Sequence, residues 1–447
     1  MRRVWRVNAT VKISHGLNVL WKNASQVLRK DWTTVQAQCK SVRAISTEPL
    51  GKLPSPLAVR PVRPGANPKN EEMQMFKKSL AAVAVLGAFA GSALAADVQL
   101  YGLVDLGLNW TQVDNGKTTT DSFGMGSGQN SGSRFGLKGT EDLGNGYKVG
   151  FNLENSFKAD DGAFDKGSRL FHRESILFVQ TPYGELSAGR TGGLDSGVGR
   201  YGQMGSGATA MSTGWDNIAK TSKVFLGLGD RMDNTLTYKS PKFAGVTLLA
   251  QASLKKSNVN EEGDAIKTEE GSSDADRYYA LGVTYGAGAL NAGLVYSQTD
   301  WNRTELKGQT NDDNQTVVSA FANYAFGMVK PMVAVQYFDG GKDEDSDKTA
   351  DDKKTALNKG YGFVVGGTAP LVGGTLKVQL GWNDYEDVKT GATEGNNIIT
   401  GVGYEYPLSK RTFVYTAAGY TQVKTEKAGV ETKTKTSEVM LGMVHKF

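Results

Sequence analysis

Residues 98–110 read VQLYGLVDLGLNW, and alternate positions of this stretch differ in polarity. The even-numbered residues from Val98 to Trp110 are apolar or glycine, whereas the odd-numbered face carries Gln99 and Asp105. A repeat of two residues is typical of a β-strand with one apolar and one polar face, and it does not fit a helix. The stretch therefore predicts a long amphipathic strand.

The same alternation recurs from residue 97 to the last residue of the chain. It predicts sixteen strands, an even number that suits a single-chain barrel with both ends on one side. The predicted strands are 97–111, 131–142, 146–157, 169–181, 184–191, 233–241, 244–256, 276–287, 289–301, 315–327, 329–340, 359–370, 373–386, 395–407, 410–424 and 435–447.

Short and long breaks alternate between these strands. The short breaks hold the prolines at 182, 241, 331, 370 and 407, where a missing N–H costs no ladder hydrogen bond. The long, polar breaks are 112–130, 158–168, 192–232, 257–275, 302–314, 341–358, 387–394 and 425–434. Because backbone groups in lipid must all be paired, this alternation predicts an all-β, sixteen-stranded antiparallel transmembrane β-barrel. A lumen of that width cannot be filled by side chains, so the polar face must line a water-filled pore.

The N-terminal region differs from the rest of the chain. Residues 75–95 combine two lysines, a short apolar run and a small-residue end at Ala95, which predicts a secretory signal peptide followed by a barrel domain at 96–447. Residues 1–74 hold the only cysteine and thirteen Lys/Arg against four Asp/Glu. They fit either a basic targeting or nucleic-acid arm or a start codon assigned too far upstream of Met73 or Met75. We favour the second interpretation, in which 1–74 is a non-native or unstructured extension.

Composition excludes several classes of protein. The whole chain has a formal net charge of +5, but beyond residue 95 there are 36 Lys/Arg against 42 Asp/Glu, a net charge of −6. Without a clustered basic face, nucleic acid is not an expected partner. Only His172 and His445 remain in that region, so a histidine-rich metal site or a Ser-His-Asp site has almost no residues to use. We expect no cofactor, no metal and no enzymatic activity.

Six sequence blocks together resemble the Gram-negative general porins, over the whole of residues 97–447. They are VQLYGLVDLGL (98–108), SGSRFGLKGTEDLGNGYKVGFNLENSF (131–157), SRLFHRESILFVQTPYGELSAGR (168–190), NTLTYKSPKFAGVTLLAQ (234–251), YPLSKRTFVYTAAGY (406–420) and VMLGMVHKF (439–447). The resemblance implies a homotrimer in the outer membrane, with short periplasmic turns, long extracellular loops and a third loop, 192–232, that constricts the barrel. It also implies contact with outer-membrane lipid, lipopolysaccharide and the barrel-assembly machinery.

Such a channel resembles an electrostatic filter, in which a basic wall faces acidic groups on the constricting loop. Alternation turns Arg134 and Lys138 into the lumen, because a charge facing lipid near the midplane costs about 2–4 kcal/mol. Lys239 points inward because its neighbours Leu236 and Tyr238 are apolar.

Two further arginines depend on less direct reasoning. Arg173 faces the lumen if Ile176 and Phe178 face lipid. Alternation turns Arg190 outward, but its position resembles one that contributes to the family's constriction, and Gly189 permits a bulge. We therefore assign both to the basic wall.

The acidic candidates on the loop are Asp195, Asp216 and Asp230. The loop is otherwise rich in Gly, Ser and Ala, so basic wall residues outnumber acids and a weak anion preference is expected. At the C-terminus, Leu441, Met443 and Phe447 share the lipid-facing side of the last strand. The resemblance implies that they form the signal for barrel assembly.

The preferred interpretation is a general diffusion porin that passes ions and small hydrophilic solutes. Three alternatives remain open. An outer-membrane protease or lipase would need a general base beside a nucleophile. A sugar-specific channel would need aromatic residues along the lumen, and a structural or adhesive barrel would have its lumen plugged by the long third loop.

Overall fold

The computed structural model describes residues 98–165, 169–212, 214–215, 218–258, 269–273, 275–301, 314–342, 357–387 and 393–447. The predicted signal peptide, the N-terminal extension and Asp216 lie outside these residues. Apart from one 3-10 turn, Thr221–Lys223, the regular structure of the described residues is β-strand. No helix among them has the length and apolar character needed to cross a membrane.

Seventeen strands form one antiparallel sheet. In chain order they are β1 (Gln99–Asp114), β2 (Thr119–Ser127), β3 (Arg134–Gly144), β4 (Tyr147–Ser156), β5 (Glu174–Thr181), β6 (Gly184–Gly192), β7 (Arg231–Lys239), β8 (Val246–Ser253), β9 (Arg277–Ala287), β10 (Leu290–Asp300), β11 (Gln315–Tyr324), β12 (Lys330–Lys342), β13 (Leu357–Leu371), β14 (Gly374–Asp387), β15 (Thr393–Pro407), β16 (Thr412–Lys427) and β17 (Val430–Lys446).

The sheet closes into a barrel because β1 pairs with the last strand, β17. Along its other edge, β1 pairs first with β3, where Leu103 lies opposite Arg134, and then with β2, where Leu106 lies opposite Ser127. Since β2 and β3 follow one another beside the same neighbour, they form one interrupted strand of the barrel. The prediction of a closed sixteen-stranded antiparallel barrel is therefore confirmed.

The interruption between β2 and β3 has a local cause. Asp105 is fully buried, and its Oδ2 accepts hydrogen bonds from the main-chain N–H groups of Asn130 (2.8 Å) and Ser131 (2.7 Å). Tyr415, on the neighbouring wall, donates its hydroxyl to the other carboxylate oxygen at 2.7 Å. These bonds draw residues 128–133 inward, away from the ladder.

Two predicted long loops are wrong in part. Residues 112–130 contain β2, and residues 425–434 form a tight hairpin whose turn, Ala428 and Gly429, has positive φ angles of 52° and 79°. The hairpin at 425–434 is mostly polar on both faces, whereas β2 has only two apolar side chains, Phe123 and Met125, on its outer face. The long breaks at 302–314 and 341–358 lie mostly outside the described residues.

The two faces of each strand have opposite environments. On β1, Leu100 and Leu108 are exposed on the outer surface, whereas Leu103 and Asp105 are buried on the inner one. The alternation of the first strand thus predicted its orientation correctly. Aromatic side chains lie near both ends of the outer surface, as at a membrane interface. They include Tyr183, Phe243 and Phe326 beside short turns, and Tyr361 and Trp382 towards the other end.

The chain between β6 and β7, residues 193–230, is called here the inward segment. It packs against the inner surface of the barrel through three apolar clusters. Leu194 and Tyr201 meet β5, β8 and β9, Met204 and Phe225 meet β11 to β13 and β15, and Trp215 meets β16 and β17. The core of this protein therefore lies between the inward segment and the wall.

Candidate functional site

The inward segment is held by amide side chains of the wall. Three buried glutamines each bind main-chain groups in or beside the segment, at opposite sides of the lumen. Gln251 (β8) accepts a hydrogen bond from Leu194 N–H at 3.1 Å and donates one to Gly192 O at 3.2 Å. Gln336 (β12) accepts from Leu226 N–H at 2.6 Å and donates to Leu226 O at 3.1 Å. Gln379 (β14) accepts from Met211 N–H at 2.9 Å and donates to Ala219 O at 3.0 Å.

Asp195 takes part in the same attachment. Its carboxylate is buried, accepting hydrogen bonds from the hydroxyls of Tyr278 (2.7 Å) and Ser297 (2.5 Å) on the wall. This acid therefore joins the segment to β9 and β10 and does not face the open lumen. Asp230, at the end of the segment, forms an ion pair of 3.1 Å with Lys256. Asp195 therefore adds no acidic lining to the lumen, whereas the side chain of Asp230 remains 39% exposed in its ion pair.

A cluster of arginines lies on β3, at the start of β5 and at the start of β7. Arg134 faces inward from β3, where its Nε donates to Gly132 O at 2.8 Å and its Nη1 lies 4.0 Å from Glu154. Arg173 binds the same carboxylate more closely, with Nε 2.6 Å from Glu154 Oε1. The structure therefore brings these two predicted wall residues together around one carboxylate.

The reasoning that led to Arg173 is nevertheless wrong. Ile176 and Phe178 face the inner surface, where the inward segment buries them to 3% and 4% exposure, and Leu177 faces outward. Arg173 reaches the lumen because it precedes the first residue of β5, so the alternation of that strand does not extend to it. Its main-chain N–H donates to Glu154 O at 3.1 Å.

Arg231 belongs to the same cluster and was missed from the sequence. It is the first residue of β7, two positions before the predicted start of that strand, so no alternation pointed to it. Its guanidinium interacts electrostatically with Arg173, Arg190, Glu154 and Arg134. The Nε atom is buried without a hydrogen-bond partner. Arg231 therefore adds a positive charge that forms no ion pair with a carboxylate of the described residues.

Arg190 lies at a break in register between β6 and β7, beside Gly189 with φ of 129°. The bulge that the glycine suggested is therefore present. The guanidinium donates to Asp233 Oδ1 at 2.6 Å and to His172 O at 2.7 Å. Arg169 binds the other oxygen of Asp233 at 2.8 Å. Arg190 thus shares one carboxylate with a second arginine.

The cluster as a whole is positive. Five arginines, at 134, 169, 173, 190 and 231, face four carboxylates, at 105, 154, 174 and 233, which gives a net charge of +1. His172 adds nothing at neutral pH, since burial and the neighbouring Arg231 lower its pKa to about 4. The net charge therefore comes from groups that do not titrate near neutrality.

Comparison with known proteins decides the family. The model of the Gram-negative porin family matches residues 81–426. The chain belongs to this family. It is 30% identical over 411 residues to an outer membrane porin protein of Bordetella pertussis, covering 83% of this chain and 100% of that protein. Outer membrane porin protein 32 of Delftia acidovorans is 29% identical over 351 residues, 76% of this chain and 88% of that one.

The solved structures agree on the fold. The anion-selective porin from Comamonas acidovorans superimposes with a TM-score of 0.55 at 24% identity, over 79% of this chain and 100% of that one. The protein is thus an outer-membrane porin, a channel for passive diffusion of ions and small hydrophilic solutes.

The two lysines predicted for the wall of this porin lie near its short turns. Lys138 pairs with Gln99 at the start of β1, and its Nζ lies 5.0 Å from the ring centroid of Tyr101. Lys239 is the last residue of β7, opposite Glu185. Both face inward, but neither belongs to the arginine cluster.

The C-terminal residues of the porin close its ladder. Leu441, Met443 and Phe447 are exposed on the outer surface, as their alternation predicted. The main-chain N–H of Phe447 donates to Gly102 O at 3.0 Å, and its carbonyl accepts from Gly102 N–H at 3.2 Å. A role in barrel assembly stays a prediction for these three residues.

Proposed function

We propose that this porin is a general diffusion channel with a weak preference for anions. The observation that carries the proposal is the net charge of +1 in the arginine cluster, which lies on the inner surface of the barrel. In a confined lumen, fixed charges of one sign concentrate mobile ions of the other. The structural relative from Comamonas acidovorans is an anion-selective porin, which is in keeping with this proposal.

The side chains around His172 and the outward-facing aromatic residues support passive transport over the enzymatic and sugar-specific alternatives. Ser156 Oγ lies 2.9 Å from His172 Nε2, but Asp165 binds the serine, at 2.7 Å, and the Nδ1 atom of the histidine has no described partner. A histidine so arranged is not oriented as a general base. The large exposed aromatics described above face outward, which does not favour a sugar-specific lumen. We therefore propose a channel without turnover chemistry.

A planar-bilayer recording of the refolded chain from residue 96 tests the proposal. We expect large ohmic current steps in about 1 M KCl and, across a salt gradient, a reversal potential of the sign that anion permeation gives. We also propose a homotrimer, on the family resemblance, so steps are expected to close in groups of three. Silent insertion would support the plugged barrel instead, and small steps blocked by one sugar would support the specific channel.

We further propose that the chain end serves barrel assembly and that the outer surface meets lipid and lipopolysaccharide. The substitution Phe447→Ala, in cells that express the full chain, is expected to remove most of the protein from the outer membrane. The same variant refolded in detergent is expected to conduct normally, because the ring lies on the outer surface beside Gly102. Heat-modifiable mobility on gels measures folded protein in both settings.

Leu186→Ala provides the matched control, since Leu186 is also an exposed outer-surface residue. Equal losses for the two variants in cells would contradict a specific role for the terminal aromatic.

A further inference from the structure

Four lysines without carboxylate partners among the described residues lie around the lumen near the short turns. They are Lys138 on β3, Lys239 at the end of β7, Lys242 in the turn before β8, and Lys330 at the start of β12. No described carboxylate lies within ion-pair distance of any of their ammonium groups. They are separate from the arginine cluster. Its members lie at the start of β3 and β7, on β6 and just before β5, farther from the short turns than Lys138.

The sheet register fixes the inward direction of three of these side chains. Lys138 shares its face with Arg134, whose partner Leu103 is on the inner surface. Lys239 lies opposite Leu249, which is buried under the inward segment. Lys330 follows the alternation of Met332, which is buried on the inner face of β12.

The position of Lys242 follows from a glycine. A Cβ atom built on Gly286 would point inward, since Thr284 on the same face lines a cavity under the inward segment. The Nζ atom of Lys242 lies 3.4 Å from that Cβ position. The ammonium group therefore sits over the inner surface of β9, although the residue itself belongs to a turn.

Inward carboxylates at this end are already paired. Glu185 binds Arg200 at 2.7 Å, Asp142 binds Lys148 at 3.2 Å, and Glu405 binds Lys377 at 2.8 Å. Lys446 also faces inward but neighbours the carboxylate of the chain end, and we do not count it. Four inward lysines at the short-turn end therefore have no carboxylate within ion-pair distance among the described residues.

We infer that these four lysines form a second anion-concentrating region, at the short-turn mouth, which makes the selectivity of the pore asymmetric. The inference rests on the proposed function, since it requires an open channel. Charges at one mouth attract anions there when salt is dilute, because the screening length is about 10 Å at 0.1 M and only about 3 Å at 1 M. The arginine cluster, confined within the lumen, is screened less.

Current–voltage curves of the wild type and of the triple variant Lys239→Gln, Lys242→Gln, Lys330→Gln test the inference. At about 0.1 M KCl, we expect the wild type to pass unequal currents at opposite voltages. The triple variant is expected to lose that inequality and about half of its anion-to-cation permeability ratio. At about 1 M, the two proteins are expected to conduct alike.

Two further variants separate charge from packing. Lys359, Lys424 and Lys433 face outward at the other end of the barrel, so their replacement by glutamine changes the total charge equally and is expected to have no effect on the curves. Arginine at 239, 242 and 330 is expected to preserve the asymmetry. A conducting wild type whose low-salt curve is symmetric, or is unchanged in the triple variant, would overturn the inference alone. A silent wild type would overturn the proposed function as well.

Discussion

Arg134→Gln combined with Arg231→Gln is expected to remove most of the anion preference of the pore. The two changes reduce the net charge of the arginine cluster from +1 to −1, and they leave the ion pair of Arg173 with Glu154 intact. In water, one charge acts on an ion about 7 Å away with about 0.6 kcal/mol, close to thermal energy, and with opposite sign on a cation. We therefore expect the anion-to-cation permeability ratio to fall roughly two- to threefold, to near unity, read from the reversal potential across a salt gradient.

The choice of residues keeps the result interpretable. Arg173 is avoided because its loss would leave Glu154 with the Tyr101 hydroxyl and the more distant guanidinium of Arg134, 4.0 Å away. The control pair Lys359→Gln and Lys424→Gln removes the same charge from the outer surface. A ratio that stays at the wild-type value in the arginine variant would show that this cluster does not set selectivity. Unlike the lysines at the short-turn mouth, the arginines should keep part of their effect at about 1 M KCl.

Replacing Gln336 and Gln379 by leucine is expected to loosen the inward segment and enlarge the pore intermittently. Each replacement leaves buried main-chain groups of the segment unpaired, at Leu226 for Gln336 and at Met211 and Ala219 for Gln379. An unpaired buried polar group costs about 1–3 kcal/mol. We expect the double variant to spend at least about tenfold more time in states of larger conductance, seen as noisy upward steps in single-channel records.

Gln422→Leu is the matched control for this experiment. Gln422 faces outward near the long-loop end of β16 and accepts a hydrogen bond only from Tyr420, on the same strand. Its loss is expected to leave the records quiet. If the double variant remains as quiet as the control while folding normally, the apolar clusters, and not the amide bonds, hold the segment in place.

The sequence predicted the strands well because the two-residue repeat is a property of the extended backbone itself. The prediction of which face is inner and which is outer failed where an inner face is covered by protein and does not meet water. Strand β2 has only two apolar side chains, Phe123 and Met125, so its apolar face is too short to show the repeat. Ile176 and Phe178 are apolar on the inner face because a distant segment covers them, and no local pattern carries that information.

The candidate site was predicted less completely for related reasons. Arg134 could be placed because it lies within a regular strand. Arg231 is the first residue of β7 and Arg173 precedes the first residue of β5, so the alternation of these strands does not indicate where either side chain points. The pairing of Asp195 with two hydroxyls depends on contacts across the barrel, between residues 83 and 102 positions apart in the chain.

The glutamines that hold the inward segment carry no charge at any pH that the protein meets. An amide neither titrates nor attracts counter-ions, so acid or salt leaves these bonds unchanged. These amide bonds are therefore independent of the residues that set the sign of the electric field, although the carboxylate of Asp195 also helps to hold the segment. If a cell moved from fresh water to brine, the amide bonds of the segment would persist, while the discrimination of the pore between ions would change.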